Sequence, residues 1–243
     1  MVYDELIDII KNHEGGLQTS IKNRFQLLKP ILGDFPKSSE IEIHLTHEEI
    51  SASREKFDQI LGKGKQAIMV SALGSNNNKT YPLNYLSQLM DIAFETTKLP
   101  LILNYRPDQE NQIDKLIDHL KPSTQKAVMK SLTPNSLRDY MGTVYHCIAA
   151  VGNEGGALNI AKGLNIPTFA IFSPLIDPSG WHTEIHNRFM AVDLKSFFPN
   201  IIEYSDHRKI GKDPKKVIEL YKMFKPELFK LKWIDFLRNW TNF

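Results

Sequence analysis

Absences narrow the reading first. The chain of 243 residues has a single cysteine, Cys147, so no intramolecular disulfide can form, which fits a reducing compartment. Cys147 lies in the apolar run Tyr145 to Val151 and is expected to be a buried, inert thiol. No apolar stretch approaches the roughly 18 residues that span a bilayer. Met1 to Ile10 carries Asp4, Glu5 and Asp8 where a secretory leader would have a basic start and an apolar run. Nor is there a polybasic block: charged residues are spread along the chain and sum to +2. That excludes nucleic acid as the natural partner and favours a small ligand met by local charge. No His, Cys and acidic set has zinc-site spacing, and no serine sits in a nucleophile elbow. The expected location is cytoplasmic, with peripheral contact at the inner membrane left open.

What is present is an alternation. From Gln66 onward short apolar runs lead into longer helical patterns, the mark of βα units around a parallel sheet. Strands are expected at Ala67 to Ser71, Leu101 to Asn104, Ala127 to Lys130, Cys147 to Val151 and Thr168 to Phe172. Helices are expected at Pro82 to Thr97, Pro107 to His119, Ser136 to Val144 and Gly156 to Leu164. The fold class is therefore α/β, a parallel sheet with helices on both faces. Such a sheet binds ligands beyond the carboxyl ends of its strands.

Residues 1–65 read instead as a mainly helical segment, with helices near Tyr3 to Asn12, Ile21 to Leu32 and His47 to Leu61 and an extended piece at Glu42 to Leu45. Gly62 to Lys65 is a candidate linker. The sheet domain then covers 66–212, and 213–243 forms C-terminal helices broken near Pro226. In the last helix Phe229, Trp233, Phe236 and Trp240 recur at i, i+4, i+7 and i+11, placing four aromatics on one face. That face either packs on the chain's own core or docks a further domain or a second copy by self-association.

Several strand-end segments carry chemistry. Gly74-Ser75-Asn76-Asn77-Asn78-Lys79-Thr80-Tyr81-Pro82 combines small polar residues and a lysine ahead of a helix, the parts a phosphate needs. It is not a Walker loop, because Leu73 and Asn78 stand at the two glycine positions. In Val151-Gly152-Asn153-Glu154-Gly155-Gly156, the paired glycines open a helix and let a diphosphate approach backbone N–H groups. Glu154 beside that anion site suits sugar hydroxyls or a cation such as Lys79, or it is only a helix N-terminal acid. Asp108 and Glu110, after the strand ending at Asn104, are either ribose ligands or ordinary helix-start acids. The ordered loop Phe172 to His182 brings prolines, a glycine and a lone histidine to the same edge.

In this order the segments resemble the C-terminal domain of glycosyltransferase family nine, the lipopolysaccharide heptosyltransferases. The family pattern G-x-x-x-x-K-x-[WY]-P is matched by Gly74, Lys79, Tyr81 and Pro82, and N-D-[ST]-G-x-x-H-x-A by Asn153 to Ala161, followed by Asn165-Ile166-Pro167. The resemblance covers roughly Ala67 to Trp181. It implies a Rossmann-like donor domain, the C-terminal half of a GT-B fold, with 1–65 as the remnant of an acceptor domain. Ser75, Asn78, Lys79, Gly155 and Gly156 would then hold the donor's phosphates, and Glu154 and Asn159 would face the sugar or phosphate region. Asp108 would meet the ribose, and Asn135 and Ser136 the adenine. The donor would be ADP-heptose or a similar nucleotide sugar, the acceptor a lipid-linked glycan, with no cofactor or metal.

Departures are specific. The family's Asp is Glu154, its Ser or Thr is Gly155 and its His is Asn159, which bears on the sugar more than on nucleotide-sugar binding. Gly33-Asp34 follows a helix and precedes Phe35-Pro36, unlike the early glycine-rich loop of an acceptor domain. The expectation is a chain that binds a nucleotide diphosphate but lacks a well-placed general base. A non-catalytic binding or assembly protein, or another GT-B enzyme using a UDP sugar, remain the alternatives.

Overall fold

The computed structural model describes residues 19–32, 42–182, 187–202 and 206–241. The helix expected near Tyr3 to Asn12 and the Gly33-Asp34 pair lie outside them.

Five parallel strands form one sheet in the order β2-β1-β3-β4-β5: β1 Ala67–Ser71, β2 Leu101–Asn104, β3 Cys147–Asn153, β4 Thr168–Ile171 and β5 Phe189–Val192. Because side chains alternate along a strand, each strand feeds two cores. Ile68 and Val70 of β1 join Phe169 and Ile171 of β4 on one face. Ala67 and Met69 join Ala170 on the other. The first face is covered by α3 (Leu83–Thr97), α4 (Glu110–Asp118), α9 (Pro214–Met223) and α10 (Lys230–Thr241), which supply Leu86, Ile113, Leu220 and Trp233. The second is covered by α2 (His47–Leu61), α6 (Leu137–Tyr145) and α7 (Gly156–Gly163), which supply Phe57, Tyr140 and Leu158. The remaining α-helices are α1 (Thr19–Leu32, alongside the 3-10 turn Pro178–Gly180) and the short α5 (Pro122–Ala127) and α8 (His207–Ile210).

Helix α2 belongs to the sheet's second core. Its N-terminus is closed by a capping box between Thr46 and Glu49, and it lies so close to α6 that a Cβ on Gly142 would sit 2.9 Å from Cβ of Ser53. Ion pairs Arg138–Glu49 and Lys56–Asp139 flank the contact. Gly62 to Lys65 is a closed turn: Asp58 accepts from the Gly64 N–H at 3.0 Å, and Lys65 N–H donates to Gly62 at 3.2 Å. Glu42 to Leu45 forms no strand, although Ile43 N–H donates to the carbonyl of Gly163. Burial pushes the Cys147 thiol well above its ordinary pKa, which keeps it protonated.

The structure departs from the sequence expectation at several points. The strand expected at Ala127 to Lys130 is the end of α5 followed by a 3-10 turn, Lys130–Leu132; only Val128 makes a bridge, to Leu101. Pro122 at the first position of α5 starts a helix that uses up the residues a strand would need. The docking reading of the aromatic face is also corrected. Phe229, Trp233 and Phe236 are buried to within 1% of completeness, and Trp240 packs at their margin. Phe169 is their partner, with Trp233 edge-on at 5.0 Å and Phe236 at 5.5 Å. The indole N–H of Trp233 donates to the Leu89 carbonyl at 3.1 Å. These rings roof the sheet and offer no surface for self-association. Trp233→Ala should therefore lower unfolding free energy by about 3–5 kcal/mol in urea denaturation. Leu231→Ala on the same helix, where the side chain is 76% exposed, should stay within about 0.5 kcal/mol of the parent.

Candidate functional site

All strands being parallel, their carboxyl ends open on one side of the sheet. The chain passes from β1 outward to β2 and then returns to the other side of β1 as β3. Between β1 and β3 the connections diverge, which is where open α/β sheets bind ligands. A cleft of about 630 Å³ occupies this position. Ser75 and Lys79 reach it from the loop after β1, Tyr105 and Arg106 from the loop after β2, and Glu154, Gly155, Gly156 and Asn159 from the β3–α7 junction. Ile176 and Trp181 close it from the segment after β4.

One buried amide builds the floor. The Asn153 side chain donates to the carbonyls of Ser71 at 3.1 Å and Ala72 at 2.8 Å, and its oxygen accepts the Tyr81 N–H at 2.6 Å. The tip of β3 is thereby tied to both ends of the loop after β1. Tyr81 is pinned in turn: its hydroxyl donates to the Phe224 carbonyl at 2.6 Å, and its ring lies among Tyr85, Tyr221, Phe224 and Phe229. Burial pushes its phenol well above the ordinary range. The loop between is compact enough that a Cβ on Gly74 would fall 2.2 Å from the Lys79 carbonyl oxygen, so only glycine fits. Thr80 accepts from the Gly74 N–H and donates to Asn76, and the Gln109 amide donates to the Gly74 carbonyl. Lys79 is thus presented to the cleft by a fixed loop.

Opposite requirements meet at α7. A Cβ added to Gly155 or Gly156 would meet nothing within 4 Å. The first turn of α7 therefore opens bare backbone onto the cleft, and the leading N–H groups of a helix have no partner within it. Glu154 precedes this turn. Partial burial raises its pKa, an effect opposed by the positive charges of Lys79 and Lys162. Among the described residues, no group of three or more His, Cys, Asp and Glu side chains is placed to hold a metal ion.

The expected site residues divide. Ser75, Lys79, Glu154, Gly155, Gly156 and Asn159 come together around the cleft. Asn78 turns away: its amide donates to the Gly211 carbonyl at 2.8 Å, while its carbonyl accepts from the hydroxyls of Ser173 and Tyr221, which clamps the loop to the C-terminal segment. Asp108 lies outside the lining, its carboxylate held by Arg106 in a two-pronged contact at 3.0 and 2.9 Å. The Arg106 hydrogen bond keeps its pKa below the usual range. Asn135 and Ser136 are also outside the lining: Ser136 caps α6 by accepting the Asp139 N–H at 3.1 Å, and the Asn135 N–H donates to the Asp139 carboxylate. The reasons differ: Ser136 satisfies nearby backbone at a helix start, Asp108 is taken by the side chain of Arg106, and Asn78 is taken by the distant Gly211 carbonyl. His182 sits behind the lining with Nδ1 3.1 Å from the Lys162 ammonium.

Sequence reasoning passed over Asn153, Tyr105, Arg106 and Trp181 as site residues. Arg106 stands two residues after a strand end, which was a usable signal; the place of Trp181 depends on how the segment after β4 folds back. Replacing Asn153 by Ala removes the side-chain partner of the Tyr81 N–H and of the Ser71 and Ala72 carbonyls. It should cost about 2–4 kcal/mol in chemical denaturation, and a loss under about 0.5 kcal/mol would refute the bridging role.

The model of glycosyltransferase family 9 (heptosyltransferase) matches residues 3–187. No curated protein matches the chain. Among solved structures, a family 9 glycosyl transferase from Veillonella parvula DSM 2008 is similar with a TM-score of 0.73 at 12% identity, over 97% of this chain and 62% of that one. The E. coli heptosyltransferase WaaC with ADP is similar with a TM-score of 0.51 at 13% identity, over 79% of this chain and 53% of that one. The E. coli ADP-heptose lps heptosyltransferase II gives 0.48 at 16% identity, over 63% and 44%. The chain thus spans between 44% and 62% of the length of these relatives.

Proposed function

Because the chain belongs to glycosyltransferase family 9, we propose that its cleft binds a nucleotide-diphosphate sugar, ADP-heptose first among candidates, as donor for transfer to a lipopolysaccharide core or related glycan. The observation that carries this is the meeting of the Lys79 loop and the bare first turn of α7 in one cleft. A lysine ammonium and a set of free N–H groups converging on one space is an arrangement for a diphosphate. A similar fold, that of WaaC, has been solved with ADP, which supports adenine over uracil.

In the proposed reaction the bond between the sugar's anomeric carbon and the diphosphate oxygen breaks while a bond to an acceptor hydroxyl oxygen forms. Negative charge grows on the departing diphosphate, where Lys79 and the N–H groups of Gly155 and Gly156 stabilise it. The acceptor hydroxyl gives its proton to a general base. Glu154 is better suited to holding sugar hydroxyls, since it lies at the diphosphate end of the cleft, and Asn159 adds an amide that both donates and accepts. With Asp108 engaged by Arg106, Tyr105 and Arg106 are the groups offered to the nucleoside side. Among the described residues no helix is long and apolar enough to cross a membrane.

Calorimetric titration with ADP and UDP tests the donor site. ADP should bind more tightly than UDP, and Lys79→Ala should weaken ADP roughly tenfold or more, the usual loss for a charge-assisted phosphate contact. If neither nucleotide binds the parent chain, the donor-site reading is wrong.

A further inference from the structure

An acid in a cleft suited to an anion poses a problem: Glu154 should repel the diphosphate that the first turn of α7 is shaped to receive. A half-buried cation near the acid, Lys162, answers it. Lys162 lies on α7 outside the cleft lining, with its ammonium 3.1 Å from Nδ1 of His182. His182 directly follows Trp181, which lines the cleft, and packs edge-on against Phe172 at 6.2 Å. Resting on the donor-site reading above, we propose that Lys162 is a positioning residue. Its ammonium offsets the Glu154 carboxylate from behind the cleft, leaving Lys79 for the phosphates, and through His182 it ties the segment carrying Trp181 to the helix that receives them.

The charges present support this division. Burial and the neighbouring Lys162 hold the His182 imidazole neutral, with its pKa down to about 3. Nδ1 is then an acceptor, and the ammonium donates to it. Burial draws Lys162 down to about 8, and Glu154 acts in the opposite direction. An ammonium is costly to bury unless it is hydrogen-bonded and paired. Lys162 has His182, from the segment after β4, as its hydrogen-bond partner, and the Glu154 carboxylate at the β3–α7 junction acts on it as a nearby opposite charge without direct contact. Lys79, from the loop after β1, faces the same acid from the cleft side. A methionine of similar length at 162 would keep the packing and lose both functions.

Two measurements test the assignment. The first needs no ligand: the Lys162 side chain, followed by carbon NMR in the labelled protein and assigned against Lys162→Met, should titrate near 8. Glu154→Gln should lower that value by about one unit through loss of the opposing charge. The second is calorimetry with ADP. Parent affinity should fall roughly tenfold between about pH 7 and about pH 9 as Lys162 loses its charge, the scale of about one pKa unit of interaction lost when the Glu154 charge is no longer offset. Lys162→Arg, which stays charged, should lose that pH limb. Lys162→Met should bind weakly at both values while melting near the parent temperature. A lysine that titrates in the ordinary range and ignores Glu154→Gln overturns the pairing, as does parent-like ADP affinity in Lys162→Met. Should the parent fail to bind ADP at all, the donor-site reading and the role given to Lys162 fall together, and the titration alone then reports whether the charge pair exists.

Discussion

The cleft depends on a single buried amide. Parallel strands β1 and β3 pair from Ile68 with Ala149 to Ser71 with Gly152, after a register shift at Ala67/Ile68, and must separate beyond their carboxyl ends for a ligand space to open. Separation strips backbone carbonyls of partners in a place water does not reach, which a fold cannot leave unpaid in hydrogen bonds. Asn153 resolves this by donating to two of them while accepting from the Tyr81 N–H. Its neighbour Gly152 lets the strands approach: φ is +116°, and a Cβ there would lie 2.5 Å from the Ser71 carbonyl oxygen. From that knot the Lys79 loop, the Tyr81 anchor and the start of α7 all take their positions.

Electrostatics then act on a scaffold already fixed. Lys79 lies in the cleft with Glu154, and Lys162 stands behind it. An isolated carboxylate at a helix start would be stabilised by the helix dipole alone, but partial burial works against its charge, so the flanking lysines matter more than they would on an open surface. Arg106 and Asp108 illustrate the other regime. Their pair is exposed, and such pairs orient side chains more than they stabilise folds. The C-terminal helices contribute from the opposite direction. By covering the sheet around Phe169, α10 and the Phe224 turn give Tyr81 a wall to press against.

Much of this was legible in the residues. The first two strands fall where apolar run length placed them, at Ala67–Ser71 and Leu101–Asn104, and α2 spans the expected His47–Leu61. Strand β5, Phe189–Val192, went unforeseen because it is a short edge strand, mostly half-buried, and carries little of the apolar signal of a central one. Val128 shows the reverse error: an apolar run paired with Leu101 at one residue only. Within the site, glycines and a lysine at strand ends announced themselves, since backbone exposure and positive charge at a helix start have few other uses.

The sequence by itself determined the α/β class, through local periodicity, and the family, through the resemblance of two separate motifs taken in order. Only the tertiary structure decided which polar side chains face the cleft. Asn78, Asp108, Asn135 and Ser136 satisfy partners of their own, Asn153 joins strands 82 residues apart in sequence, and Lys162 meets His182 20 residues on. A hydrogen-bonding group takes whichever partner the packed chain brings within about 3 Å, and for contacts between segments that choice is made by the sheet, not by the residues on either side.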